Sequence, residues 1–592
     1  MGKRIVGCAG IVWLTVLLIA GLAVAQEINN PDTIIVVDAD NFETLDPHLM
    51  ISSASMELPL NVFNSLLKYD TETGELLPSL ATVVPSLDNG LIVVADDGTA
   101  SITFLIRQGI KFHSGDVLTP ADVEYTYERA LLIGSPADTV RPFATALLNG
   151  SFQEVVALIG YDAAFDRLDQ AIEVHGQNVV FHLARSFAPF VTLMADNGAC
   201  LGVMCRRWSI EQGCWPGTKE TGQVHMGLTV QDDPLFAKMN GTGPFQLVEW
   251  TPNDRVVVER FEEYWEGPAR IKRVVRKYVP DTSTQLLELR AGDADLVRVM
   301  PAELTQLKGV AGLKFEEMLP SFWLMKLNFH FDIKSTKYIG SGKLDGNGIS
   351  HDFFSDINVR KAFCYSFDPD LFIEDVYLGM ALKPYGLIPI GMPYANPDNP
   401  QYSYNSEKAV EYFKQAWDGQ VWENGFQFTA IYSTGSTHRQ RMLEILKRNV
   451  EALNPKFRIE IQAVPWATMM GLIQDGSMPV SLFGIIPAVP DPFVAIDDQM
   501  YSQGYYAGIC GYSDLAKERY DALAEQVIES FDAEERKAAA YELQRLCYED
   551  ALALIYWQDA TNWVMRDWVQ GFKPGLVTMN LDFYTMYKSL DE

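Results

Sequence analysis

The sequence predicts an α/β or α+β chain with insertions, built as more than one domain or as one large domain with substructure. Three observations predict it. Strand-like and helix-like segments alternate along the chain without a strict repeat. At 592 residues the chain exceeds what one hydrophobic core usually serves. Its composition, 48% hydrophobic and 21% charged, is that of a globular chain and not a disordered one. The formal charge of −30 argues against nucleic acid or an anionic membrane surface as partner, because both reward Lys and Arg.

The elements follow in order. Lys3 and Arg4 precede an uncharged run, Ile5 to Ala25, that ends Ala23-Val24-Ala25 before polar Gln26-Glu27. That layout predicts an export signal, residues 1–25, cleaved after Ala25. The run is long for a signal, so an uncleaved membrane anchor is the alternative. Cys8 lies too early in the run for lipid attachment. Thr33–Val37 is a β-branched strand, and Met56–Leu67 reads as a helix with one apolar face. Ile102, Phe104 and Ile106 alternate with polar residues, the period of a half-buried strand. Thr119, Pro120 and Asp122 spell the start of a helix with a capping box, and Val123, Tyr127, Ala130 and Leu131 are its apolar stripe. NGTGPFQLVEW is a Gly-rich turn into a strand. STQLLELRAG is a helix stopped by Gly292, and FWLMKLNF after Ser321 is a strand. A helix over 357–379 breaks near Asp368-Pro369. Ser406 caps the next helix, which buries Ala409, Tyr412, Phe413 and Ala416. A helix from His438, the strand FRIEIQAV, a helix from Ala533 and the strand ALALIYWQ complete the pattern.

Six cysteines follow Cys8, and an exported chain can oxidise them. Cys200, Cys205 and Cys214 lie within one short loop, so a disulfide among them is expected. Zinc would need a fourth nearby ligand, and none is at hand. Cys364 sits in an apolar helical run and reads as a small core residue. Compact catalytic motifs are missing. GSGKL at Gly340–Leu344 lacks the upstream glycine spacing and the hydroxyl residue of a phosphate loop. No G-x-S-x-G elbow, H-E-x-x-H helix or calcium loop occurs. Asp293 and Asp295 read as a solvated helix end, and His113 with Asp116 as an ordinary turn. The sequence calls for no enzyme activity, no cofactor and no metal.

Nine segments together resemble one family. They are TLDPH (44–48), NSLLKYDTETGELLPSLAT (64–82), ITFLIRQGIKFHSGDVLTPADVEYTYERA (102–130), GTGPFQLVEW (241–250), YWEGPARIKRV (264–274), LRAGDADLV (289–297), INVRKAFCYSFD (357–368), YNSEKAVEYF (404–413) and GYSD (511–514). In that order they resemble the extracellular solute-binding proteins of ABC importers of the dipeptide/oligopeptide type. The resemblance implies a two-lobed periplasmic-binding-protein fold with an additional domain inserted in the first lobe. It implies boundaries too: lobe I at 27–75, 236–325 and 560–592, the extra domain at 76–235, and lobe II at 326–559. FWLMKLNF and ALIYWQDATNWV would cross between lobes. The implied role is a monomeric periplasmic or extracellular receptor that closes on a solute and delivers it to a membrane permease with its ATPase.

The resemblance also places a ligand site. Peptide-binding members commonly carry Gly-Trp-x-x-Asp where this chain has Gly484, Ile485, Ile486, Pro487 and Ala488, and that Asp pairs with the peptide ammonium. Alanine at 488 cannot, which weakens a free dipeptide as cargo. A second family anchor, an Arg for the carboxylate, falls near Ser433 and Thr434, or on Arg439 if a gap is allowed. Longer peptides, or alternatively oligosaccharides, are then expected. The expected walls are Asn41, Phe42, Phe322, Trp323, Tyr432, Ser433, Trp466, Ile485, Pro487, Ala488, Tyr505 and Tyr506. Asp491 is either an anchor or the cap of the turn at Pro492.

Overall fold

The computed structural model describes residues 28–50, 56–70, 73–135, 140–195, 200–485, 487, 489–574 and 581–590. The expected export signal lies outside these residues. The largest sheet has eight strands: β1 Thr33–Asp38, β2 Phe245–Thr251, β3 Arg255–Arg260, β4 Arg273–Tyr278, β5 Leu296–Val299, β6 Leu313–Phe329, β7 Val480–Ile485 and β8 Ala553–Arg566. Their order across the sheet is β7-β6-β8-β5-β1-β4-β3-β2. β1 runs parallel to both β4 and β5, and the remaining neighbours are antiparallel.

β6 and β8 are long enough to serve two cores. The early part of β6 (Leu313, Phe315) packs with Val37, Leu289 and Val564. Its later part (Phe322, Met325, Leu327, Phe329) packs with Phe354, Phe363 and Phe426. β8 does the same in reverse, with Leu554, Tyr556 and Trp557 in the second core and Val564 in the first. Between the two, the β6–β8 ladder slips at 316–319 and 320–324. Met318 there has φ +60°, and its N–H is held by Asn562 Oδ1 at 3.0 Å. A bulged stretch between two packed halves is where a sheet bends most easily.

A separate four-stranded sheet contains Ile92–Val94, Ala100–Leu105, Ile172–His175 and Asn178–Leu183. Ile102 and Phe104 are fully buried in its core, as their alternation predicts. The helix Pro120–Ile133 starts on the capping box formed by Thr119 and Asp122. His113 joins this unit to the Gly-rich turn. Its Nε2–H donates to Gly243 O at 2.9 Å, and its Nδ1 accepts from Gly241 N at 3.3 Å. A Cβ at Gly241 would sit 2.1 Å from Val62 O, so the turn needs glycine to come this close.

Several expectations are corrected. The helix near Met56 is only Glu57–Val62, because Gly243 N–H takes the Val62 carbonyl at 2.9 Å. Asn405, not Ser406, caps its helix, accepting from Lys408 N. Asp295 is not a solvated helix end but 1% exposed. It accepts from Ile35 N, Trp568 Nε1 and Lys588 Nζ, each at 2.7 Å. The expected disulfide is not formed: Cys200, Cys205 and Cys214 are buried but not joined to one another. Cys205 Sγ lies 3.6 Å from Asp116 Oδ2, and burial pushes its thiol up to about 12.

Candidate functional site

The carboxyl ends of the parallel strands meet at one edge of the first core, the usual place for ligands in such sheets. There Arg276 and Arg298 sort a group of acids. Arg276 Nη2 lies 3.6 Å from Asp38, and its Nε lies 3.1 Å from Glu57. Its Nη1 donates to Asp40 O at 2.9 Å, and its guanidinium covers the Phe42 ring at 4.8 Å. Arg298 Nη2 reaches Asp40 at 2.6 Å and Asp38 at 3.4 Å. Burial pushes the Glu57 carboxyl up to about 7 against the pull of Arg276. Asn41 is half-buried, with Nδ2 donating to Asn253 Oδ1 at 2.8 Å.

Beside the second core an aromatic group surrounds one cation. The strand Phe426–Ser433 ends beside the helix Thr437–Leu453, whose first turn carries His438 and Arg439. Arg439 is 9% exposed. It donates to Leu482 O at 3.1 Å and to the Ser433 and Ser436 hydroxyls at 3.3 Å each. Among the described residues no carboxylate lies within ion-pair distance of it. Its guanidinium covers the Trp466 ring at 5.1 Å, and Trp466 stacks on Phe483 at 6.1 Å. On the other side Trp323 meets Trp557 edge-on at 5.1 Å and His438 at 6.2 Å, while Tyr377 stacks on Trp557 at 4.6 Å. Burial and the neighbouring Arg439 lower the His438 pKa to about 4, so its imidazole is neutral.

The structure thus brings Trp323, Ser433 and Trp466 together around Arg439. Tyr505 is exposed and packs on Tyr506, which in turn approaches Phe483, so it extends the same wall. Tyr432 is half-buried beside Ser433. Asn41 and Phe42 stand at the strand ends of the first core. Phe322 and Tyr506 are at most 1% exposed and serve the core instead, because both are enclosed by the second apolar cluster. Pro487 is buried, and Ile485 pairs through its backbone with Leu324. Ile486 and Ala488 lie outside the described residues. Asp491 serves the fold: both its oxygens meet Arg536 Nη2 (2.8 and 3.0 Å), and one caps Phe493 N at 3.0 Å. Sequence reasoning passed over His438, Tyr377, Trp557 and Asp559. The available signal was an acid, Asp559, in the middle of a long and mostly buried crossing strand.

Two cores bridged by long paired strands, with a polar and an aromatic group beside the bridge, are the build of a two-lobed binding protein. Residues 77–507 match the family model described as bacterial extracellular solute-binding proteins, family 5 Middle. The chain belongs to this family. It is 22% identical to the heme-binding protein A of Haemophilus influenzae, over 85% of this chain and 83% of that one. It is also 22% identical to the dipeptide-binding protein of Escherichia coli, over 90% of each. Its fold matches that of the periplasmic binding protein DppA of Helicobacter pylori, solved with the peptide STSA. The TM-score is 0.65 at 20% identity, covering 94% of this chain and 98% of the other.

Proposed function

We propose that this chain is the extracytoplasmic receptor of an ABC importer that captures peptides and hands them to a membrane permease driven by an ATPase. The observation that carries this reading is Arg439. A guanidinium buried without a counter-charge is costly, and this one sits in a chain with 77 acidic against 47 basic residues. A peptide's terminal carboxylate is the natural partner, forked onto Arg439 at a helix start whose dipole also favours an anion. Ser433 and Ser436 hold the guanidinium in place. Trp323, Trp466, Tyr432 and Tyr505 supply apolar walls for side chains, with Asn41 opposite. The dipeptide-binding and STSA-bound relatives support the peptide class. A neutral oligosaccharide offers Arg439 no anion and is not favoured.

On this reading the chain acts as a monomer without catalysis, and its lobes divide as 27–75, 236–325 and 560–592 against 326–559, with 76–235 as the extra domain. It is exported by its first 25 residues. No helix among the described residues is long and apolar enough to cross a membrane. The test is thermal shift with a library of tri- to pentapeptides, the same library as C-terminal amides, and neutral oligosaccharides. Free-acid peptides raise the melting temperature, amides raise it far less, and Arg439→Gln removes the difference. A shift with sugars alone overturns the reading.

A further inference from the structure

The crossing strand β8 carries a second charge without an ion-pair partner. Trp557, Asp559 and Thr561 alternate along it and so share one side. Asp559 is half-buried at the bulged stretch, where its carboxylate accepts from Ser321. Among the described residues no Lys, Arg or His lies within ion-pair distance of it. The guanidinium that influences it, Arg298, is already committed to Asp38 and Asp40. The two residues flanking it on that side carry unsatisfied groups: Trp557 Nε1 and Thr561 Oγ1 are buried without a hydrogen-bond partner. A run in which two buried polar groups lack partners on either side of a carboxylate without a counter-charge is unusual, because folding normally pairs them. Here the run lies between the acid–arginine group of the first core and the aromatic wall around Arg439. The Tyr377 hydroxyl feels both Asp559 and Arg439, which puts the two opposite charges in one neighbourhood without pairing them. Burial holds the Asp559 carboxyl above the usual carboxylate range, as expected of a charge without its counter-ion.

We propose that Asp559 is a specificity-determining residue that receives a primary ammonium of the captured peptide, while Arg439 receives its carboxylate. This rests on the peptide reading above. An ammonium offers three donors and full charge, so it satisfies a carboxylate that the fold leaves open. The role falls on the crossing strand, not on position 488. Closure of the lobes then completes an ion pair at the point about which they bend.

The test uses the exported chain and three lysine-defined peptide libraries of three to five residues. One has free amino termini and no lysine; one is N-acetylated without lysine; one is N-acetylated with lysine. Retained peptides are read by mass spectrometry after capture on wild type, Asp559→Asn and Asp559→Glu, each first checked for native melting. Wild type should retain one ammonium-bearing library at least tenfold over the acetylated, lysine-free one. The first library winning assigns the α-ammonium, and the third a lysine side chain. Asp559→Asn should level the preference and Asp559→Glu should keep much of it, a split that a merely structural role would not produce. An unchanged preference in Asp559→Asn overturns the inference and leaves the peptide reading standing. If wild type retains no peptide of any library, the peptide reading itself falls, and this inference with it.

Discussion

Glu128 lies on the buried side of the helix Pro120–Ile133, only 7% exposed. Burial pushes its carboxyl up to about 9, helped by Glu124 and Asp169, and Arg206 offsets only part of this. The folded chain therefore keeps the proton while the unfolded chain releases it above the ordinary value of 4.5. Stability tied to this residue is full below about pH 4.5 and is lost as the pH rises toward 9. Glu128→Gln keeps the shape and removes the titration. It should stabilise the protein by on the order of 2 kcal/mol at pH 8 and by almost nothing at pH 4.5. Urea midpoints of both proteins at several pH values check this, and a gap that stays constant with pH would show that Glu128 is not neutral in the fold. A second residue-scale lesson is Asp46. Buried with Arg129, it accepts from Arg129 Nη1 at 3.1 Å, and the same Nη1 donates to His48 Nδ1 at 2.8 Å. The segments TLDPH and YERA thus report one internal ion pair and carry no information about cargo.

Elements separate what the sequence shows from what it hides. Local chemistry was legible: the capping box at Thr119, the alternation of Ile102 and Phe104, and the glycine stop at Gly292 all appear as read. Each depends on neighbours within four residues. Hidden were contacts that join distant segments. β1 pairs with β4 some 240 residues away, and Asp295 looks like a helix-end acid until β1 and the C-terminal segment close over it. Of the aromatics expected at the site, Trp466 lies over Arg439 while Phe322 and Tyr506 are enclosed in the core, and Arg439 itself was reached only as one of two alternatives. Whether an Arg or Asp is spent on the fold depends on a partner elsewhere in the chain, as Asp491 with Arg536 and Arg439 without one show. Asp295 is an acid spent on the fold in this way. Its pairing with Lys588 at 2.7 Å has both side chains 1% exposed. Asp295→Ala strands the lysine charge and should cost about 3–5 kcal/mol. Asp295→Ala with Lys588→Met should recover most of that loss in urea unfolding followed by tryptophan fluorescence. A double variant as unstable as the single one would assign the cost to the hydrogen bonds from Ile35 and Trp568 instead.

At the scale of the whole molecule, the small four-stranded unit touches the second core through a narrow seam. Phe187 meets Phe493 edge-on at 5.3 Å, Ala188 N donates to Ile528 O at 2.8 Å, and Ser186 Oγ donates to Glu529 O at 3.0 Å. Thr192 Oγ1 donates to Asp491 at 3.2 Å, and Val489 and Ile528 join the apolar cluster of the small unit. After β7, Val489 and Asp491 therefore help to hold the two units together. If the lobes bend at the slipped part of the β6–β8 ladder, opening must part this seam, because it joins segments carried by different cores. The seam then favours the closed form, and apparent affinity scales with the fraction of molecules able to close. Phe187→Ala removes the central apolar contact without touching Arg439, Trp466 or Asp559. Removing about 1.4 kcal/mol from closure should weaken peptide binding about tenfold, mostly through faster release. Small-angle scattering of the ligand-free protein should show a larger radius of gyration, and saturating peptide should bring the variant back to the wild-type value. Lower melting temperature with unchanged affinity and scattering would make the seam ordinary packing, and the bending would have to be sought elsewhere along the crossing strands.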